Sequence, residues 1–274
     1  MSQILFAGMR FFLAGILTVI IGSLIERRIL LPKKSSVPKI ALLSLFQTIL
    51  QYIFFYLGLA RTSGTKSSII TASNVFLSIL VSTFVFRTEK MTLKKIIGTM
   101  TGFSGVILIS LANGNAGDGF SLTGEGFIFL SALSYAFSAS LTKKFSATED
   151  TVMLSGWQFI FGGLFMICIS LISGGTIPHS DGSGYAMLLY LAFVSAVAFS
   201  IWGLLLKHNP ISKISVFGFM NPVFGVILSA VLLHESGNTG VLRTIVSLLL
   251  VIAGIIIVHI NTDKSSKDTK NSAE

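Results

Sequence analysis

Nine runs of 20 to 23 residues, each apolar almost throughout, divide this chain and restrict what it can fold into: 4–25, 38–60, 65–86, 92–112, 123–142, 152–173, 185–206, 211–233 and 241–260. A bilayer core is crossed by about 20 such residues in a helix, so every run is long enough to span. Lipid offers no hydrogen bonds, so the backbone must satisfy itself, either in helices or in a closed barrel. Barrel strands alternate in polarity over about ten residues, whereas these runs do not alternate. The sequence therefore predicts an all-α membrane protein, a polytopic bundle of nine transmembrane helices. Only 11% of the 274 residues are charged, and the connections are too short to hold an extramembrane domain.

The formal charge of +9 would suggest nucleic acid in a soluble chain. Here the bases lie between apolar runs, where they orient a membrane protein, and no nucleic-acid partner is inferred. Sixteen Lys and Arg residues fall in the connections after odd-numbered spans or in the C-terminal tail. Three fall on the other side (Arg61, Lys66 and Arg243), and Arg10 lies within a span. Such a split predicts a cytoplasmic C-terminus and, with nine spans, an N-terminus outside, in a multi-pass protein of the plasma (inner) membrane. The first run lacks a preceding basic segment and reads as a span rather than a signal peptide.

An internal repeat is visible. Gly8, Phe11 and Gly15 recur as Gly156, Phe159 and Gly163 at an offset of 148; Asn74 recurs as Asn221, Glu89 as Glu235, and Gly105 as Gly254, at offsets of 147, 146 and 149. The matches imply a first repeat over 1–112, a second over 122–261, and a polar cytoplasmic tail over 262–274. A repeat of five spans is odd, so the second copy is inverted in the membrane, a plan common among secondary transporters. Span five has no partner, which leads to the expectation of a tenth helix upstream of Met1.

Arg10-Phe11 with Ala14-Gly15, Phe86-Arg87-Thr88-Glu89, Leu233-His234-Glu235 and Asn221-Pro222 resemble, in order, the second helix, the two helix-end Glu motifs and the penultimate helix of EamA-type transporters of the drug/metabolite transporter superfamily. The resemblance covers nearly the whole chain. It implies ten helices in two inverted halves, of which this chain lacks the first, and export of amino acids or other small metabolites.

Polar side chains within the spans are the candidates for recognising a solute. Ser44, Gln47, Gln51 and Gly58 follow helical spacing on one face, and a Gln amide facing lipid would be poorly satisfied, so this face is expected to look inward. The other reading of the glutamines is interhelical hydrogen bonding, worth about 0.6 kcal/mol each. Asn74 and Asn221 are repeat mates within apolar runs. Tyr135 lies midway along span five among Ser131, Ser134 and Ser138. Arg10 is the charged residue deepest in a span and has a snorkelling alternative, and Gln158 is its neutral mate. The expected substrate cavity is lined by Gln47, Gln51, Asn74, Tyr135 and Asn221, with Arg10 and Gln158 contributing. Tyr56 and Trp157, near span ends, read as interfacial anchors. Gly98, Gly102 and Gly105 form a seam for close helix packing.

No His-Glu-x-x-His pair, Gly-x-Ser-x-Gly elbow or pair of carboxylates lies within the spans, which argues against an enzyme, a metal site or a cofactor. The expected partners are a small-molecule solute and membrane lipid, with homo-oligomerisation left open by the small-residue seams. A non-transporting scaffold or partner subunit of a membrane complex is the alternative function.

Overall fold

A computed structural model describes residues 3–111, 121–175, 182–215, 217, 220–232 and 241–259, and the regular elements among them are all helical. Helix α1 (Gln3–Glu26) carries the first apolar run; its 24 residues reach about 36 Å, enough to cross the hydrocarbon core. The second run is continuous through α2 (Val37–Leu43), a π-helical segment (Ser44–Leu50) and α3 (Gln51–Leu59). The third bends at Ala72 between α4 (Gly64–Thr71) and α5 (Ser73–Leu80), then ends in a second π segment (Val81–Val85). There follow α6 (Leu93–Ser110), α7 (Glu125–Phe145), α8 (Thr151–Ile172), α9 (Gly182–His208), α10 (Ile211–Ser215), α11 (Met220–Leu232) and α12 (Val241–His259). Glu235 and the tail lie outside the described residues.

Side chains that serve as N-caps fix where several helices begin. Ser63 accepts from the Lys66 N–H, Thr92 from the Lys95 N–H and Asp150 from the Met153 N–H at 2.8 Å, each satisfying a donor that the first turn leaves over.

Packing sorts the chain into two compact units, one drawn from 1–56 and 141–209, the other from 57–140 and 210–274. In the first, α1 packs along α8, and α9 lies against both. Glycine sets the α1–α8 approach: a Cβ on Gly15 would stand 2.7 Å from the carbonyl oxygen of Gly156. Phe11, Phe159, Met166 and Ala196 fill the core behind this contact. In the second unit, α6 packs on α12 and α4 on α11. The Gly98 seam faces α12, where an added Cβ would come within 2.6 Å of the Gly254 oxygen. Gly102 instead makes room for the ring of Phe76.

The lipid-facing surface is apolar. On α9, Leu189, Tyr190, Phe193 and Ile201 are all more than half exposed, as a membrane helix permits and an aqueous surface would not.

Candidate functional site

The first unit gathers Arg10, Gln47, Gln51 and Gln158. Arg10 does not reach out along α1. Its guanidinium lies 4.3 Å from the centroid of the Phe11 ring and 5.3 Å from that of Tyr52, where the negative faces of the rings attract it. Phe11 in turn stacks on Phe159 at 5.1 Å, and Phe159 meets Phe199 edge-on at 4.9 Å. This aromatic cluster joins α1, α3, α8 and α9. Tyr52 and Tyr56 pack against it, so Tyr56, expected as an interfacial anchor, is half-buried against this cluster. Trp157 is likewise tied inward, donating from Nε1 to the Leu30 carbonyl at 2.8 Å.

The π segment of the second span positions the polar groups beside this cluster. A π turn accommodates an extra residue, and Ser44, Gln47 and Thr48 are all buried within it. Ser44 Oγ donates to the Gln158 carbonyl at 2.9 Å, and Thr48 Oγ1 to Gln158 Oε1 at 3.3 Å. Gly58, placed on the same face by α-helical spacing, instead packs in the second unit against Gly124 and Ile128. It lies about two turns beyond Gln51 along α3.

Three polar atoms of this region are buried without a hydrogen-bond partner: Arg10 Nε, Gln51 Oε1 and Gln158 Nε2. Gln158 is only 1% exposed, so its free amide N–H group lies deep in the protein. An unsatisfied buried group of this kind costs about 1–3 kcal/mol, which makes it a demand for a partner.

Asn74, Tyr135 and Asn221 belong to the second unit. Asn74 is half-buried just beyond the bend at Ala72, and its carbonyl accepts from Ser78 Oγ at 2.6 Å. The Tyr135 carbonyl accepts from Ser138 Oγ at 2.8 Å. Asn221 is exposed in the first turn of α11.

Two buried ion pairs in the second unit escaped the reading of single residues. Lys66 Nζ stands 3.1 Å from Glu125 Oε1, which also accepts from Thr62 Oγ1, while Glu125 Oε2 accepts from the Ser121 N–H. Beside Glu125 lies a cavity of about 300 Å³ with apolar walls including Ile70, Phe103, Val106 and Phe129. Lys95 Nζ lies 2.7 Å from Glu89, whose second oxygen accepts from the Ser212 N–H. Burial pushes the Glu89 carboxyl up, but Lys95 and the Ser212 N–H outweigh it and hold the group below the usual Glu value. The signal was present: Lys66 and Glu125 both fall at span ends assigned to the same membrane face. Among the described residues, no three His, Cys, Asp or Glu side chains come together as metal ligands.

Comparison with known proteins adds three findings. The model of the EamA-like transporter family matches residues 1–111 and 122–260. The chain is 28% identical over 211 residues to a chloroplastic WAT1-related protein of Arabidopsis thaliana, covering 72% of this chain and half of that one. It is 28% identical to the transporter YetK of Bacillus subtilis, covering 84% and 71% of the two chains, and 27% identical to YvbV of the same organism, covering 93% and 82%. A crystal structure superposes with a TM-score of 0.71 over 94% of this chain and 89% of the other at 16% identity, so the two share a fold.

Proposed function

We propose that this chain, which belongs to the EamA-like transporter family, is a secondary transporter that exports amino acids or other small metabolites by alternating access. The observation that carries the solute site is the set of unpartnered buried atoms in the first unit: Arg10 Nε, Gln51 Oε1 and Gln158 Nε2. Two amides and a guanidinium set into aromatic walls provide donors and an acceptor for a polar solute in a setting where such groups are costly to leave unmade. Gln47, buried in the π segment about one turn before Gln51, is assigned to the same group.

The inverted duplication is part of the same proposal. What supports it is that α1 packs on α8, α6 on α12, and α4 and α5 on α11 and α10, so that each contact joins two spans matched by the repeat. The basic residues keep the C-terminal tail in the cytoplasm, and a reporter fused after Glu274 is expected to be active only inside.

The test is flux. Proteoliposomes holding the purified chain alone, loaded with a mixture of amino acids and small organic acids, are expected to release solute faster than protein-free liposomes. Gln158→Leu is expected to reduce that release at least tenfold while the protein still inserts and elutes as a single species. Unchanged flux in Gln158→Leu and Gln51→Met would return both residues to packing. No flux from the wild type would favour a scaffold.

A further inference from the structure

We infer that the solute held by the first unit is an organic carboxylate, a monoanion with an apolar body, and that Arg10 is the residue selecting its charge. The inference rests on the transport-site reading above and goes further by assigning a substrate class. Its basis is a count of charge. Five acidic residues lie among the described residues, and each has a basic partner that is not Arg10: Glu26 and Asp150 pair with Arg28, Glu149 with Lys39, Glu89 with Lys95 and Glu125 with Lys66. Arg10, inside α1, forms no ion pair with any described residue; its guanidinium lies over the rings of Phe11 and Tyr52 and bonds the neutral Tyr52 hydroxyl.

Arg10 presents a planar guanidinium with its N–H donors in a fixed fork. An intramembrane ionisable residue without a counterion points to a functional partner, and for a single guanidinium that partner is a planar monoanion accepting two parallel N–H bonds. A phosphate dianion would need a second cation, yet the described lysines and arginines that meet acids are already committed to them. The remaining lining sets the other half of the class. Tyr52 and Tyr56, half-buried with ring centroids 6.3 Å apart, offer ring surface for an apolar body, and the free groups of Gln51 and Gln158 are neutral. A cationic solute would meet Arg10 with no acid to offset it.

Three matched probes test this: N-acetylphenylalanine (an anion), N-acetylphenylalaninamide (neutral) and phenylalaninamide (a cation), each measured by thermal stabilisation of the purified full chain and by counterflow in proteoliposomes. Inorganic phosphate is the fourth arm. The expected result is stabilisation by the carboxylate and exchange at least tenfold faster than for the neutral amide, with the cation excluded. Arg10→Gln is expected to abolish that preference, and Arg10→Lys to keep a reduced one. Equal handling of carboxylate and amide by the wild type overturns the inference whether or not Arg10→Gln folds. So does stronger stabilisation by phosphate, stabilisation by none of the probes, or a preference that survives Arg10→Gln. Carboxylate binding without counterflow would sustain the charge assignment and remove the transport reading, whereas counterflow of the neutral amide alone would do the reverse.

Discussion

Neutralising Glu125 should cost more stability than its modest size suggests, and removing its partner as well should cost little more. The Glu125 side chain is 4% exposed and Lys66 10%, and the carboxylate accepts three bonds between 3.0 and 3.1 Å, from Lys66, Thr62 and the Ser121 N–H. Gln at this position keeps the shape and, with its carbonyl toward the Ser121 N–H, one acceptor; its NH2 then faces Thr62, whose hydroxyl can turn to accept, and the main loss is the charge facing Lys66. An uncompensated buried ion costs about 3–5 kcal/mol; Lys66 sits near a span end and can shift toward the headgroups, which favours the lower figure, about 3 kcal/mol. Lys66→Met strands the carboxylate at a similar cost of about 3 kcal/mol. Without coupling the double variant would lose about 6 kcal/mol, but no unpaired ion remains in it, and a coupling of roughly 2–3 kcal/mol brings the loss to about 3–4 kcal/mol. In thermal unfolding of the detergent-solubilised chain, at about 2–4 °C per kcal/mol, each single variant should lie roughly 6–12 °C below wild type and the double variant no more than a few degrees below the singles. Additive losses would refute the pairing. The same variants bear on coupling: a structural Glu125 leaves the pH dependence of flux unchanged in the double variant, whereas loss of that dependence would make Glu125 a proton carrier.

Gly254→Val drives a side chain against backbone, its Cβ 2.5 Å from the Gly98 oxygen and 2.6 Å from the Gly102 nitrogen; α6 and α12 must separate, at about 1–3 kcal/mol or more, while Gly182→Ala, with nothing within 4 Å, should unfold like wild type. Trp157→Phe leaves the Leu30 carbonyl unpaired where Leu30 is 3% exposed, and a loss of about 1–3 kcal/mol in the same unfolding assay is expected. Hydrogen bonds from Lys39 and Ser36 hold the Glu149 carboxyl below the ordinary 4.5. A lowered folded value means that this contribution is complete above the ordinary Glu range and is lost as pH falls through the folded value; unfolding midpoints of Glu149→Gln should therefore vary less with acidification than those of wild type.

The spans were legible because lipid enforces a length and a composition together. The run 152–173 and helix Thr151–Ile172 agree to a residue at each end, since Asp150 caps the helix where the apolar stretch begins. What periodicity could not give was the winding inside a span. The sequence of Ser44–Leu50 has no proline or glycine to mark a departure from α-helix, yet it forms a π segment, which alters the register of Ser44 and Gln47 relative to Gln51. Arg10 was ambiguous for a related reason: spacing says how far a guanidinium is from a membrane face but not whether a ring lies under it. Phe11 was adjacent in sequence, but Tyr52 became a neighbour only through packing.

The repeat and the packing units cut the chain along different lines, and the reason lies in the glycines. Sequence similarity divides the chain near residue 112, whereas each compact unit takes helices from both sides of that division. A helix carrying small residues at fixed positions is complementary to any helix carrying the same pattern in the opposite direction, and under the proposed inversion its own copy is such a helix. The contact is then isologous, like the two-fold interface of a homodimer fused into one chain. Gly15 and Gly163 illustrate it: a Cβ on Gly15 would strike the Gly156 oxygen at 2.7 Å, and a Cβ on Gly163 would strike the Gly8 oxygen at 2.8 Å. Each half supplies the groove for the other's backbone, so the repeat motif carries the packing across the division. The polar side chains are where the copies part company. Arg10 on α1 has a neutral mate in Gln158 on α8, so two positions matched by the repeat carry a charge on one helix and an amide on the other.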